Sequence, residues 1–177
     1  MPRRPAPRAF PLSAELPADQ HAAREALIAA IGTAFRAVRP PREEPSHASP
    51  YAWKGFDTFH AYHGPWQAFP LEALWACSDA LSFVPAQGLR FYLPAVLSHL
   101  LANPTDALPQ TMLDGLCSLL EGRAPEHRAL VALLDDDQRR AVADVIRFHR
   151  SLEDDAPAQA LPLGRQAAAR WHAPTGG

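Results

Sequence analysis

His60-x-x-His63, with Asp57 just upstream, is the arrangement in this chain that comes closest to a metal or acid–base site. Histidines three residues apart share a face of a helix and could ligate one ion, with a further ligand from His47, Cys77 or His99. The spacings common to zinc sites are absent, and the Gly64-Pro65 pair that follows favours surface or hydrogen-bonded packing histidines. Asp57, His60 and His63 therefore define an alternative, a small metal-dependent hydrolase, while the primary expectation is no metal and no cofactor. Cys77 and Cys117, with His99 between them in sequence, have neither a glycine-rich turn nor a nucleophile signature beside them. Ser98-His99 lies in a stretch apolar on nearly every side, where a buried, satisfied histidine is the simpler expectation. Gly-x-Ser-x-Gly, His-Glu-x-x-His and phosphate-binding glycine loops do not occur, so no catalytic residue is assigned.

Binding chemistry has better candidates. Residues 40–69 are irregular and aromatic, with Tyr51, Trp53, Phe56, Phe59, Tyr62, Trp66 and Phe69 punctuated by Gly55, Gly64 and Pro65. Large stiff rings gain contact area at little entropic cost and are enriched at protein interfaces, yet they also cover the cores of small helical domains; both readings stand. Arg90 beside Tyr92 is the second candidate. A guanidinium fork suits a planar acid, so the pair could line a groove that takes a carboxylate or a peptide. The plainer alternative is an Arg90 paired with a neighbouring acid and a Tyr92 in the core. The candidate binding residues are thus Tyr51, Trp53, Tyr62, Trp66, Arg90 and Tyr92.

Composition limits what partners these residues can meet. The 177 residues carry a formal charge of -2, which leaves no positive field to hold a phosphate backbone, so nucleic acid is not expected. Apolar stretches are broken by Pro, Asp, Arg or His well before the ~20 residues a membrane span needs. Met1 to Arg8 is charged and proline-rich without an apolar segment behind it, so the expected location is the cytoplasm. Two separate cysteines among apolar residues are expected to be reduced and buried. Lys54 is the sole lysine, and the Arg, Ala and Pro bias points to a GC-rich bacterial genome.

The elements that must position the candidates follow from periodicity. Residues 1–16 are expected to be a flexible Pro/Arg-rich arm, 17–153 one helical domain, and 154–177 a partly disordered tail. Ala23, Leu27, Ile28, Ile31, Phe35 and Val38 recur at helical spacing, predicting a helix from Ala18 to Arg39 that Pro40-Pro41 stops and that leaves Arg24 off its buried stripe. A short piece is expected at Asp57–Tyr62 and a helix at Leu71–Phe83. Pro94 would cost a helix one backbone bond and clash with the Arg90 carbonyl, predicting two pieces kinked at Leu93-Pro94, the second lying centrally. Pro109–Glu121 reads as a further helix. Ala129–Leu134 is ambiguous and leans helical, and Asp135 with Gln138 resembles a capping box opening a helix from Asp136 to about Leu152. No strand pattern recurs. The fold class expected is all-α: a single compact orthogonal helical bundle of about five to six helices.

Trp66, Ala80-Leu81-Ser82-Phe83-Val84, Arg90-Phe91-Tyr92-Leu93-Pro94-Ala95 and the later Leu-Asp-Asp-Asp-Gln helix start together resemble a family of small bacterial proteins of unknown function. That family pairs an Ala-Leu-x-Phe-Leu element after an upstream Trp with a Phe/Tyr-Tyr-Leu-Pro-Ala element, and the resemblance spans Trp66 to Phe148. Val84 stands where a capping Thr or Ser is expected before Pro85. The resemblance implies a fold and no activity. Together these observations favour a non-enzymatic, bacterial, cytoplasmic interaction module with a protein partner, an immunity or accessory protein toward an effector being its most concrete form.

Overall fold

The computed structural model describes residues 17–41, 62–70, 84–102, 119 and 125–155. Among them every regular element is helical: α1 (Ala18–Ala34), a 3-10 turn (Trp66–Ala68), α2 (Ala86–Ala102), α3 (Pro125–Leu133) and α4 (Asp136–Asp155). The expected helices at Asp57–Tyr62 and Leu71–Phe83, the five-to-six helix count and both cysteines fall wholly or mostly outside the described residues. Of the expected Pro109–Glu121 helix only Leu119 is described; it is helical and fully buried. None of the described helices is long and apolar enough to cross a membrane.

Helix α2 is the centre of the fold. It touches α1, α3, α4 and the 3-10 turn, and every residue from Phe91 to Ala102 is buried. The helix continues through Pro94 as one element, where two helical pieces joined by a kink at Leu93-Pro94 were expected. Burial offsets what the internal proline costs. Leu89, Phe91, Leu93, Val96, Leu97, Leu100 and Leu101 are essentially inaccessible, and each such side chain contributes about 1.5–3 kcal/mol against the roughly 3 kcal/mol an internal proline costs. The Pro85 carbonyl accepts the Leu89 amide at 2.9 Å to open the helix. Gly88 lies in its buried first turn, and a Cβ there would fall inside van der Waals contact of the Val84 side chain, so glycine is what lets the entry segment fold over the helix.

Helix α1 ends earlier than Pro40-Pro41 would require. It stops at Ala34, and the chain turns at residues 35–37, where the Val38 amide donates to the Phe35 carbonyl at 3.0 Å and tertiary donors reach the carbonyls of Ala34 and Phe35. Gln138 Nε2 donates to the Ala34 carbonyl at 3.1 Å, and Trp66 Nε1 donates to that of Phe35 at 3.0 Å. Phe35 itself is fully buried beside Ile31 in the core cluster. The buried stripe is also shifted: Ala23 is exposed, whereas Arg24 is fully buried with Nη2 2.8 Å from His21 Nδ1. Its aliphatic stem completes the apolar face that the expected stripe had assigned to Ala23.

The ambiguous Ala129–Leu134 run is mostly helix, as part of α3. The expected capping box is present: Asp135 Oδ1 accepts the Gln138 amide at 2.9 Å, and Gln138 Oε1 accepts the Asp135 amide at 3.4 Å. Ala141, Val142, Val145, Ile146 and His149 all face inward as their spacing requires, and the helix runs past Leu152 to Asp155. Arg139 joins α3 to α4, donating to the Leu134 carbonyl at 2.7 Å and pairing with Asp136.

Candidate functional site

A cleft of about 550 Å³ opens where the end of α1, the first turns of α2 and the α3–α4 junction converge. Its apolar lining is made by Val38, Pro40, Pro41 and Leu133. Leu133 is the one large apolar side chain among the described residues that is exposed. Its polar lining is made by Gln87, Arg90, Asp135 and Gln138, together with Arg39. Local rules place each of these groups. Two consecutive prolines hold the exit from α1 extended. Gln87 and Arg90 share a face because they are three residues apart on α2. Asp135 and Gln138 are set by the capping box.

Gln138 organises the polar lining. It is only 2% exposed, and its amide is used at both ends: Nε2 donates to the Ala34 carbonyl, while Oε1 accepts from Arg90 Nε at 3.1 Å and from the Asp135 amide. One side chain therefore ties together α1, α2 and α4. Arg90 is held at its Nε while its side chain stays one-third exposed, and its Nη2 lies 3.8 Å from Asp135 Oδ2, an ion pair too long to be a hydrogen bond. Both sequence readings of Arg90 describe it in part, since it neighbours an acid and also lines a groove.

The other candidate residues are placed differently. Tyr92 is buried and packs edge-on against Phe69 and Phe91, with ring centroids 5.1 and 5.0 Å apart. Burial pushes its phenol pKa up. It does not line the cleft with Arg90. Trp66 is buried and anchored to Phe35 through its indole N–H. Tyr62 is half-buried, its hydroxyl donating to the Pro65 carbonyl at 2.6 Å and its ring meeting Phe69 edge-on at 5.0 Å. A Cβ on Gly64 would strike that ring, so glycine permits the Tyr62 side chain to fold across the turn. Tyr51, Trp53, Asp57 and His60 lie outside the described residues, and His63 is exposed in the segment before Gly64. No group of three or more His, Cys, Asp or Glu among the described residues is arranged to hold a metal ion.

His99 is buried in α2 as expected of a core histidine. His149, in α4, is fully buried, and neither ring nitrogen has a hydrogen-bond partner among the described residues; its ring meets Phe148 edge-on at 5.9 Å. Burial lowers its pKa from 6.5 to about 4, so it is a neutral core residue at pH 7.

Residue-by-residue reasoning on the sequence misses Arg39, Gln87, Leu133, Asp135 and Gln138 as cleft residues. The capping box marks Gln138 and Asp135 locally, but no local signal shows that a cap glutamine also reaches Arg90 and Ala34.

No curated protein and no solved structure matches the chain significantly. Residues 24–175 match the model of a family described as Family of unknown function (DUF6714), and the chain, matched over most of its length, belongs to that family.

Proposed function

We propose that this protein is a non-enzymatic interaction module that holds a segment of a protein partner in the cleft between α1, α2 and the α3–α4 junction. The observation that carries this reading is the pairing of a rigid apolar wall, Pro40, Pro41 and exposed Leu133, with an arginine whose direction is set by a buried glutamine. Preorganised polar groups beside stiff apolar surface reduce the ordering cost of binding, which is what a recognition groove requires. The half-buried Tyr62 packs in a separate aromatic region with Phe69 and Phe91, away from the cleft lining.

The test is site-specific photocrosslinking in cells producing the full chain. A photoreactive amino acid replaces Gln87, which is exposed and lines the cleft, or Ala22, exposed about 18 Å along α1 from Ala34. A discrete adduct from position 87, absent from position 22 and identified as one protein by mass spectrometry, supports the module. Identical patterns from both positions, or no adduct from either, refute it.

A further inference from the structure

The recognition reading says where a partner segment lies, and Arg90 indicates what chemistry that segment must offer. The guanidinium plane of Arg90 is set at one edge only, by the Nε bond to Gln138 Oε1, and Gln138 is in turn fixed from three sides by Asp135, Ala34 and its own burial. Among the described residues its two terminal nitrogens have a 3.8 Å approach to Asp135 and no hydrogen bond. Asp135 Oδ1 accepts the Gln138 amide as the helix cap, and it is the other oxygen, Oδ2, that stands 3.8 Å from Arg90. The result is a fork of donors, oriented by a buried anchor and held short of its nearest acid. Exposed Arg39 lines the same cleft, with its Nη1 donating to the Arg36 carbonyl at 3.1 Å, so the lining carries two arginines and one acid. The excess positive charge sits beside apolar Pro40, Pro41 and Leu133, and it is complementary to an acid carried on an otherwise apolar chain.

We propose that the cleft selects an extended segment of a partner protein that presents a Glu or Asp side chain to the terminal nitrogens of Arg90, with an apolar neighbour on the Pro40–Leu133 wall. A carboxylate accepts two parallel N–H bonds from such a fork, which a lysine ammonium cannot reproduce. This inference rests on the cleft being a docking groove, and the experiment separates the two.

The full chain is used to select from a displayed library of random octapeptides, and the best sequences are remade with acetylated and amidated ends. The expected result is enrichment of an acidic residue at a fixed distance from an apolar one. Replacing that acid by its amide should weaken binding at least tenfold to wild-type protein, and the same loss should follow from Arg90→Gln. Arg90→Gln combined with the amide peptide should lose no more than either change alone, and Arg90→Lys should restore only part of the affinity. The peptide change is made on unaltered protein, so it decides the matter even if Arg90→Gln unfolds. Enriched peptides without a required acid, or with one whose amide replacement matters equally in Arg90→Gln, overturn the carboxylate assignment and leave the groove intact. A requirement for a free peptide C-terminus overturns the side-chain assignment. No enrichment over a sham selection overturns both.

Discussion

Acidification should destabilise this protein through His149, and the size of the effect can be worked from its surroundings. The side chain is fully buried in α4, and neither ring nitrogen has a hydrogen-bond partner among the described residues, so the folded state disfavours the imidazolium and its pKa falls from 6.5 to about 4. Above pH 6.5 neither folded nor unfolded chain protonates this group, and its contribution to stability is complete. As pH drops below 6.5 the unfolded chain gains a proton that the folded one refuses, and stability falls by about 1.4 kcal/mol per pH unit. Below about pH 4 the folded state accepts the proton too, and the loss levels off. Across that window the difference is on the order of 3 kcal/mol. Urea unfolding of the wild type and of His149→Phe at half-unit steps from pH 7.5 to 4 measures it. Carboxylates lose stability in both proteins, so the His149 contribution is the difference between the two curves. That difference should open below pH 6.5 and reach roughly 2–4 kcal/mol by pH 4. Parallel curves, or an imidazole proton resonance of His149 that titrates near 6.5 in the folded protein, would refute the reasoning.

Gly88→Ala should cost about 1–3 kcal/mol in thermal or urea unfolding because its Cβ meets the Val84 side chain, and Val84→Ala in the same chain should recover part of it. Equal destabilisation with and without the Val84 change would show that steric contact is not the cause. Trp66→Phe keeps an aromatic ring in the core but removes one of the two donors to the Phe35 carbonyl, which retains the Val38 amide, so the lost hydrogen bond should cost about 0.5–1.5 kcal/mol; an unchanged urea midpoint would contradict it. Gln138→Ala removes the cap partner, the bond to Ala34 and the Arg90 anchor together, and should cost at least about 2 kcal/mol. Asp135→Ala loses the cap and the long, exposed ion pair with Arg90 and should cost about 1 kcal/mol in the same assay, so equal losses would deny Gln138 its long-range part.

Most of the described helices were legible in the residue pattern because local physics decides them. The inward face of α4 follows the 3-and-4 spacing from Ala141 to His149, and its start follows from Asp135 and Gln138, whose reciprocal bonds need only each other. The central position of α2 follows from a segment with no polar face to give to water. The candidate site was legible only at Arg90. Its companions Pro40, Pro41, Leu133 and Gln138 are remote in sequence, and prolines, a leucine and a glutamine carry no chemical signature of their own.

The sequence by itself determined an all-helical class, the capped entry to α4 and the burial of the Pro94–Leu101 stretch, since each depends on neighbours within a few residues along the chain. Tertiary structure alone decided that α1 ends at Ala34, that Pro94 is carried inside one helix, that Arg24 is buried, and that Gln138 aims Arg90 into a cleft. At the end of α1 and at Pro94 the partners lie far along the chain: Gln138 and Trp66 donate to the carbonyls of Ala34 and Phe35, and packing from four elements outweighs one missing hydrogen bond. Periodicity states which face a helix must bury, but it cannot say which distant group will meet that face.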